Sequence, residues 1–284
     1  MSFEDTCTSC DSALKLTPLM PSVPPEIIDE IIDYLSDDRR ALVACSTVCR
    51  LFYPRTRQHI FRTIHFTKRH RHPVARFVNI VNASPHLLSC VIDMKFHRSG
   101  TAFLSLVPLL PSMVNLTSLK LAFISFSSGD DFHACICKLL RLKELSLFCI
   151  SSDKQDFSIK AFSPCSGPAL ERIKFEGGDE NIGLLQSFLH TGLRAVYMDT
   201  LKYLELSSPA EEDLHTLNEI YRVAKSLRQL SLVDVQSNLH QRPGLAMLPL
   251  TGLKSLVVEL CYQIDDERTD IHLLRWLVAS FDSY

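Results

Sequence analysis

Apolar side chains recur with two different periods along this chain. Near the start, Ile27, Ile28, Ile31, Ile32 and Leu35 fall on one face of a helix, while Glu26, Asp29, Glu30 and Asp33 fall largely on the other. Pro24 and Pro25 precede them, which suits a first helical turn that needs no backbone donors. Glu26 lies near the positive end of the helix dipole. Ser36-Asp37-Asp38 then breaks the pattern and offers a cap for a second helix from Arg39 to about Cys45. A third apolar segment, Val48 to Phe61, contains Pro54, which is expected to kink or restart the helix. Three short helices bury little area by themselves. Their spare apolar face predicts contact with a neighbour.

From Phe61 onward the pattern becomes h-x-x-h-x-h. Copies fall at Phe61/Ile64/Phe66, Val91/Met94/Phe96, Leu116/Leu119/Leu121, Leu142/Leu145/Leu147, Leu170/Ile173/Phe175, Leu201/Leu204/Leu206, Leu227/Leu230/Leu232 and Leu253/Leu256/Val258. Their starts are 30, 25, 26, 28, 31, 26 and 26 residues apart. The strict Leu-x-x-Leu-x-Leu form begins at Leu116, Leu142, Leu201, Leu227 and Leu245; the last contains Pro249 and is set aside. The last two apolar residues of a copy alternate with polar ones (Val257 in the final copy excepted), as in a short strand with one buried face. Helical patterns lie between copies at Val74–Asn82, Asp130–Leu140, Glu180–His190 and Glu211–Lys225, whereas Ser151–Pro168 reads as irregular loop. Asp266–Phe281 reads as an amphipathic helix placed to cap the open end of the array.

Period and motif resemble leucine-rich repeats. The implied class is α/β: strand, crossover and parallel strand repeated into an irregular solenoid with a curved parallel sheet. The competing expectation is an ordinary single α/β domain. In the repeat reading, the strand residues facing away from the buried leucines line the concave surface. They are Thr63, His65, Asp93, Lys95, His97, Ser118, Lys120, Glu144, Ser146, Phe148, Arg172, Lys174, Glu176, Tyr203, Glu205, Gln229, Ser231, Ser255 and Glu259. Arg172 and Lys174 are candidates to hold a carboxylate or phosphate.

Composition narrows the function classes. The chain has 284 residues, 46% hydrophobic and 22% charged, with a formal net charge of −2. That suits a folded protein with a sizeable core and lacks the basic excess of a nucleic-acid binder. Of ten cysteines, several (Cys45, Cys49, Cys90, Cys135, Cys137, Cys149) sit in apolar runs and read as small core residues. The first twenty residues show no signal-peptide pattern, so a reducing cytoplasmic or nuclear location is expected. The uncharged window Ser99–Leu119 is interrupted by Pro108, Pro111 and Asn115 and is not expected to span a membrane. No phosphate-cradling glycine loop, nucleophile elbow or zinc-protease helix occurs. Cys7-Thr8-Ser9-Cys10 lacks a second pair; Lys68-Arg69-His70-Arg71-His72 reads as a solvated basic loop, and Asp265-Asp266-Glu267 as a helix start. Neither metal, cofactor nor catalytic group is expected.

The helical segment carries a more specific resemblance. Val23-Pro24-Pro25-Glu26-Ile27-Ile28, followed by Val48-Cys49-Arg50-Leu51-Phe52, is similar to an F-box, with Val23 for the usual Leu and Phe52 for the usual Trp. The stretch His59-Ile60-Phe61-Arg62-Thr63-Ile64 also resembles F-box proteins abundant in mushroom-forming fungi. The resemblance implies binding to a Skp-type adaptor, and through it a cullin, by Pro24, Ile27, Ile28, Ile31, Leu35, Val48, Cys49 and Phe52. Some of these must serve the module's own core. It further implies a protein substrate on the repeat domain, with Lys95, His97, Lys120, Glu144, Phe148, Arg172, Lys174, Tyr203 and Glu205 as candidate contacts. The expected organisation is a disordered tail at 1–21, an F-box at 22–61 and a substrate-binding domain at 62–284. The alternative is a non-degradative interaction scaffold. No nucleic-acid or membrane partner is expected.

Overall fold

The computed structural model describes residues 23–67, 73–97, 100–152, 167–176, 184, 186, 188–189, 198–208, 211–235 and 252–260. The chain divides into two compact units, Met1–Ile60 and Phe61–Tyr284.

The first unit is helical: α1 (Pro25–Tyr34), α2 (Arg39–Val48) and α3 (Tyr53–Arg62), whose last two residues lie past the unit boundary. Pro25 opens α1, and Glu26 sits in its first turn. Asp38 caps α2, its carboxylate accepting from the backbone N–H of Arg40 at 2.9 Å and of Ala41 at 3.0 Å. Helix α2 runs to Val48, three residues beyond the expected end. Pro54 stands in the first turn of α3 and starts the helix rather than kinking it. Ile28, Ile32 and Leu42 form the buried centre, and Leu35, Cys45, Phe52 and Ile60 pack around it half-buried. The Arg39 guanidinium donates to the Ile60 carbonyl at 3.0 Å, tying the start of α2 to the last turns of α3.

The second unit is built on a parallel sheet. Among the described residues its strands are β1 (Thr63–Phe66), β2 (Asp93–His97), β3 (Ser118–Ala122), β5 (Glu144–Phe148), β7 (Arg172–Glu176), β8 (Tyr203–Ser207), β9 (Gln229–Val235) and β10 (Ser255–Leu260). Two-residue strands β4 (Ser125–Phe126) and β6 (Ser151–Ser152) form a separate parallel pair. In the main sheet every neighbouring pair is parallel, and strand order follows chain order. Register is continuous: Ile64, Met94, Leu119, Leu145, Ile173, Leu204, Leu230 and Leu256 form one ladder across all eight strands. Phe66, Phe96, Leu121, Leu147, Phe175, Leu206, Leu232 and Val258 form the next. Each of the eight h-x-x-h-x-h copies thus supplies one rung to each ladder.

The first apolar position of the motif is buried as well, at Val91, Leu116, Leu142, Leu170, Leu201 and Leu227. Each fully buried aliphatic side chain contributes about 1.5–3 kcal/mol. Aromatic rings extend the core at one end: Phe66 stacks on Phe96 at 4.6 Å, and Phe103, Phe126 and Phe132 continue edge to face.

Helical segments link the strands: α4 (Pro73–Ala83), two 3-10 helices (Pro85–Cys90 and Gly100–Ser112), α5 (Gly129–Ile136) and α6 (Glu211–Val223). Ser128 caps α5, its hydroxyl accepting from the Asp131 N–H at 3.2 Å. The uncharged window is not a spanning helix. Pro108 and Pro111 hold it in 3-10 form, and Phe103, Leu106 and Leu110 are buried. Among the described residues no helix is long and apolar enough to cross a membrane.

Ser151–Ser152, expected in an irregular loop, pair as β6 because Ile150 is buried and the Ser151 N–H donates to the Ile124 carbonyl at 3.1 Å. Within the expected helix Glu180–His190, residues 184 and 186 are helical, and Leu184 and Phe188 are buried. The expectations for residues 1–21, 68–72, 153–166 and 261–284 lie outside the described residues.

Three strands end on a left-handed residue: Phe123 (φ 57) after β3, Cys149 (φ 46) after β5 and Ser208 (φ 52) after β8. Their N–H groups donate to the Phe148, Glu176 and Val233 carbonyls of the adjoining strands at 2.8, 3.1 and 2.7 Å. Each extends the ladder by one bond, against a conformational cost of about 1–2 kcal/mol for a residue with a Cβ.

Candidate protein-docking surfaces

Helix α1 has two apolar stripes rather than one. Ile28, Ile32 and Leu35 turn inward at i, i+4, i+7. Ile27, Ile31 and Tyr34 repeat the same spacing on the outside and are 45%, 54% and 92% exposed. Val23, Val48, Leu51 and Tyr53 are exposed too. Between α2 and α3, Ser46, Thr47, Val48, Cys49, Arg50 and Tyr53 line an open cavity of about 470 Å³.

The structure therefore sorts the eight candidate adaptor contacts. Pro24, Ile27, Ile31 and Val48 are exposed, and Cys49 is half-buried at the cavity wall. Ile28 belongs to the core, and Leu35 and Phe52 pack against it. Ile28 and Leu35 do not share the outward stripe, because the helical turn that aligns them with Ile32 points them at the core; Phe52 lies in the turn before α3 and packs on that same core. Tyr34, Leu51 and Tyr53 join the exposed set. Tyr34 was legible as the i+3 neighbour of Ile31; Leu51 and Tyr53 lie in the turn into α3, where helical spacing gives no direction.

A polar clasp braces this surface. The Asp33 carboxylate on α1 accepts two bonds from the Arg55 guanidinium on α3, and His59 Nε2 lies 2.7 Å from its Oδ1. Arg55 first, and His59 second, hold the Asp33 carboxyl well below the usual carboxylate range. A depressed folded-state value stabilises fully above the unfolded value of about 3.9 and loses that contribution as pH falls towards the folded one. Asp33→Asn is expected to leave the helical unit less stable than the parent at neutral pH, with the gap narrowing below about pH 4. Chemical denaturation across that pH range checks this; a gap that persists unchanged to the acid end contradicts it.

In the second unit, the side chains that alternate with the buried ladders form outward rows. The middle row reads His65, Lys95, Lys120, Ser146, Lys174, Glu205, Ser231 and Val257. Val257, opposite Ser231, holds the last place, and the register shifts only beyond it, between Val258 and Leu260, where Glu259 has no paired partner. Charges on this face neutralise one another. Lys95 pairs with Asp93 at 3.0 Å, Lys120 with Glu176 at 3.3 Å, Arg172 with Glu144 at 3.6 Å and Lys174 with Glu205 at 2.8 Å.

Tyr203 donates to the Glu205 carboxylate, and its ring lies 4.5 Å from the Arg172 guanidinium and 5.5 Å from the Lys174 ammonium. Burial pushes the Glu205 carboxyl up, but Lys174 and then Tyr203 more than offset it, and the carboxyl is held below its ordinary value. Arg172 and Lys174, expected as anion holders, already face carboxylates of their own sheet. At one edge of the face His97, Phe123 and Phe148 form an aromatic run, with ring centres 5.4 and 4.7 Å apart. The candidate contacts Lys95, His97, Lys120, Glu144, Phe148, Arg172, Lys174, Tyr203 and Glu205 therefore lie on one polar face crossed by ion pairs. Among the described residues no group of His, Cys, Asp or Glu is arranged to hold a metal ion.

Residues 20–98 match the family model described as the COS11 F-box domain. No curated protein matches the chain.

Proposed function

We propose that this F-box-bearing chain is a substrate-recruiting subunit of a Skp–cullin–F-box ubiquitin ligase. Its helical unit would bind a Skp-type adaptor, and through it a cullin. The observation that carries the reading is the outward stripe Ile27, Ile31 and Tyr34, together with exposed Val48, Leu51 and Tyr53, inside the segment matching the F-box model. Apolar side chains at helical spacing suit insertion into a hydrophobic groove, and exposed apolar side chains grouped along one helix favour an interaction site. The second unit is read as an irregular leucine-rich-repeat solenoid, supported by eight parallel strands in chain order with unbroken ladders. Its outward face, from Lys95 and His97 to Tyr203 and Glu205, is the proposed substrate surface. Such a subunit needs no catalytic group. It works by holding a substrate beside a ubiquitin-charged enzyme and raising its effective concentration. A cytoplasmic or nuclear setting goes with this role.

Copurification with a Skp-type adaptor tests the reading. The double variant Ile27→Asp/Ile31→Asp is expected to weaken adaptor binding at least tenfold, since central apolar anchors are each worth about 2 kcal/mol or more. Its helical circular dichroism should be unchanged. Adaptor binding equal to that of the parent, or none by the parent itself, would falsify the proposal.

A further inference from the structure

Charge is distributed differently at the amino-terminal edge of the sheet. One position before the strands, the backbone ladder continues: Lys143 donates to the Thr117 carbonyl, Glu171 to Lys143, Lys202 to Glu171, Arg228 to Lys202 and Lys254 to Arg228, at 2.7–2.9 Å. These residues therefore stand side by side, about 4.8 Å apart. Lys143 and Lys202 share the single carboxylate of Glu171, at 3.0 and 2.8 Å. One acid between two ammonium groups leaves positive charge over, and the row then continues without a further acid. Arg228 Nη1 faces the carbonyl oxygens of Lys225, Leu227 and Gly252, each at 3.4 Å. Among the described residues no carboxylate lies within ion-pair distance of Lys225, Arg228 or Lys254, and all three are exposed. The outward strand face, in contrast, meets each of its four cations with an acid.

We infer that Lys202, Arg228 and Lys254, with Lys225 beside them, dock an acidic stretch of polypeptide lying across the starts of β8, β9 and β10. The site is separate from the outward strand face and does not rest on the adaptor reading. Its sign selects carboxylates, and its extent selects a peptide. In an extended segment, side chains on one side recur about every 6.6–6.8 Å, wider than the spacing of the strands, and the long, rotatable Lys and Arg side chains take up the difference. Arg228 adds planar donors suited to a carboxylate. A nucleic acid fits less well, because its affinity rests on the number of phosphates that cations neutralise. The row offers four cations, on a chain of net charge −2.

The test uses the full-length protein and a fluorescently labelled peptide of alternating Asp/Glu and Gly. The same peptide with Asn/Gln in place of the acids and a thymidine oligonucleotide serve as comparisons. Anisotropy at low salt is expected to show binding of the acidic peptide only, weakening steeply as salt rises. Lys202→Gln/Arg228→Gln/Lys254→Gln should weaken it at least about tenfold, while the charge-keeping Lys202→Arg/Arg228→Lys/Lys254→Arg stays within about threefold of the parent. Lys254→Gln alone, at an exposed position outside any ion pair, should cost about threefold and guards against misfolding of the triple variant. Equal binding by the triple and single Gln variants, no binding by the parent, or tighter binding of the oligonucleotide overturns the inference. Retained adaptor copurification in the Gln variants separates failure of this site from failure of the adaptor reading.

Discussion

Ile32→Asp is expected to unfold the helical unit, whereas Ile31→Asp, one residue away, should leave its stability within about 0.5 kcal/mol of the parent. Ile32 is 0% exposed and Ile31 54% exposed. The buried centre of that unit is Ile28, Ile32 and Leu42, ringed by half-buried neighbours. A carboxylate placed there must either stay charged without a partner or take up a proton, and both cost several kcal/mol. Arg55, a cation on the facing helix α3, is already committed to Asp33. So small a core cannot absorb that cost. Limited proteolysis separates the two variants: rapid cleavage within residues 23–60 for Ile32→Asp, parental resistance for Ile31→Asp. Both should lose adaptor binding, one by unfolding and the other by spoiling the outer stripe. Equal resistance would mean that the inward and outward stripes of α1 are wrongly assigned.

Leu145→Ala should destabilise the parallel-sheet unit by about 2–5 kcal/mol. Leu145 is 0% exposed on β5 and stands in register between Leu119 and Ile173. Its neighbours are held by their own strands and cannot close the gap, so lost transfer energy and cavity cost add. For a unit of this size that corresponds to a fall in melting temperature of roughly 5–15 °C. The same truncation at Leu256 on β10, which is half-buried, should cost about half as much. Thermal melts followed by circular dichroism compare the two. An unchanged midpoint for Leu145→Ala would contradict the continuous interior ladder.

The sheet was legible because its information is local and repeated. Each h-x-x-h-x-h copy names its own strand, and even spacing makes adjacent copies partners. The segments between strands were less legible, since burial there depends on what the sheet presents. Ser151 and Ser152 carry no strand propensity and pair only because Ile124 and Ile150 are both buried beside β3 and β5. The window at 100–112 has the apolarity of a helix, but its prolines decide for 3-10 geometry.

At the surfaces, sequence supplied the residues but not their relations. Helical spacing placed Ile27 beside Ile28 on one broad stripe, yet only α2 and α3 reveal which of them turns inward. Likewise, the ion pair between Lys120 and Glu176 reaches across β5. Residues 56 positions apart meet only once the register is known. That register is what turns a string of candidate charges into a neutral face, and it leaves Lys202, Arg228 and Lys254 in a row at the edge.

Because strand order in the sheet repeats order along the chain, a nascent polypeptide leaving the ribosome always finds the partner for its newest strand already made. Successive copies start only 25 to 31 residues apart, so each closure spans a short stretch and none waits for the carboxyl-terminal half. Growth by accretion from β1 towards β10 follows, with the most recent strand exposed as a sticky rim until the next one arrives.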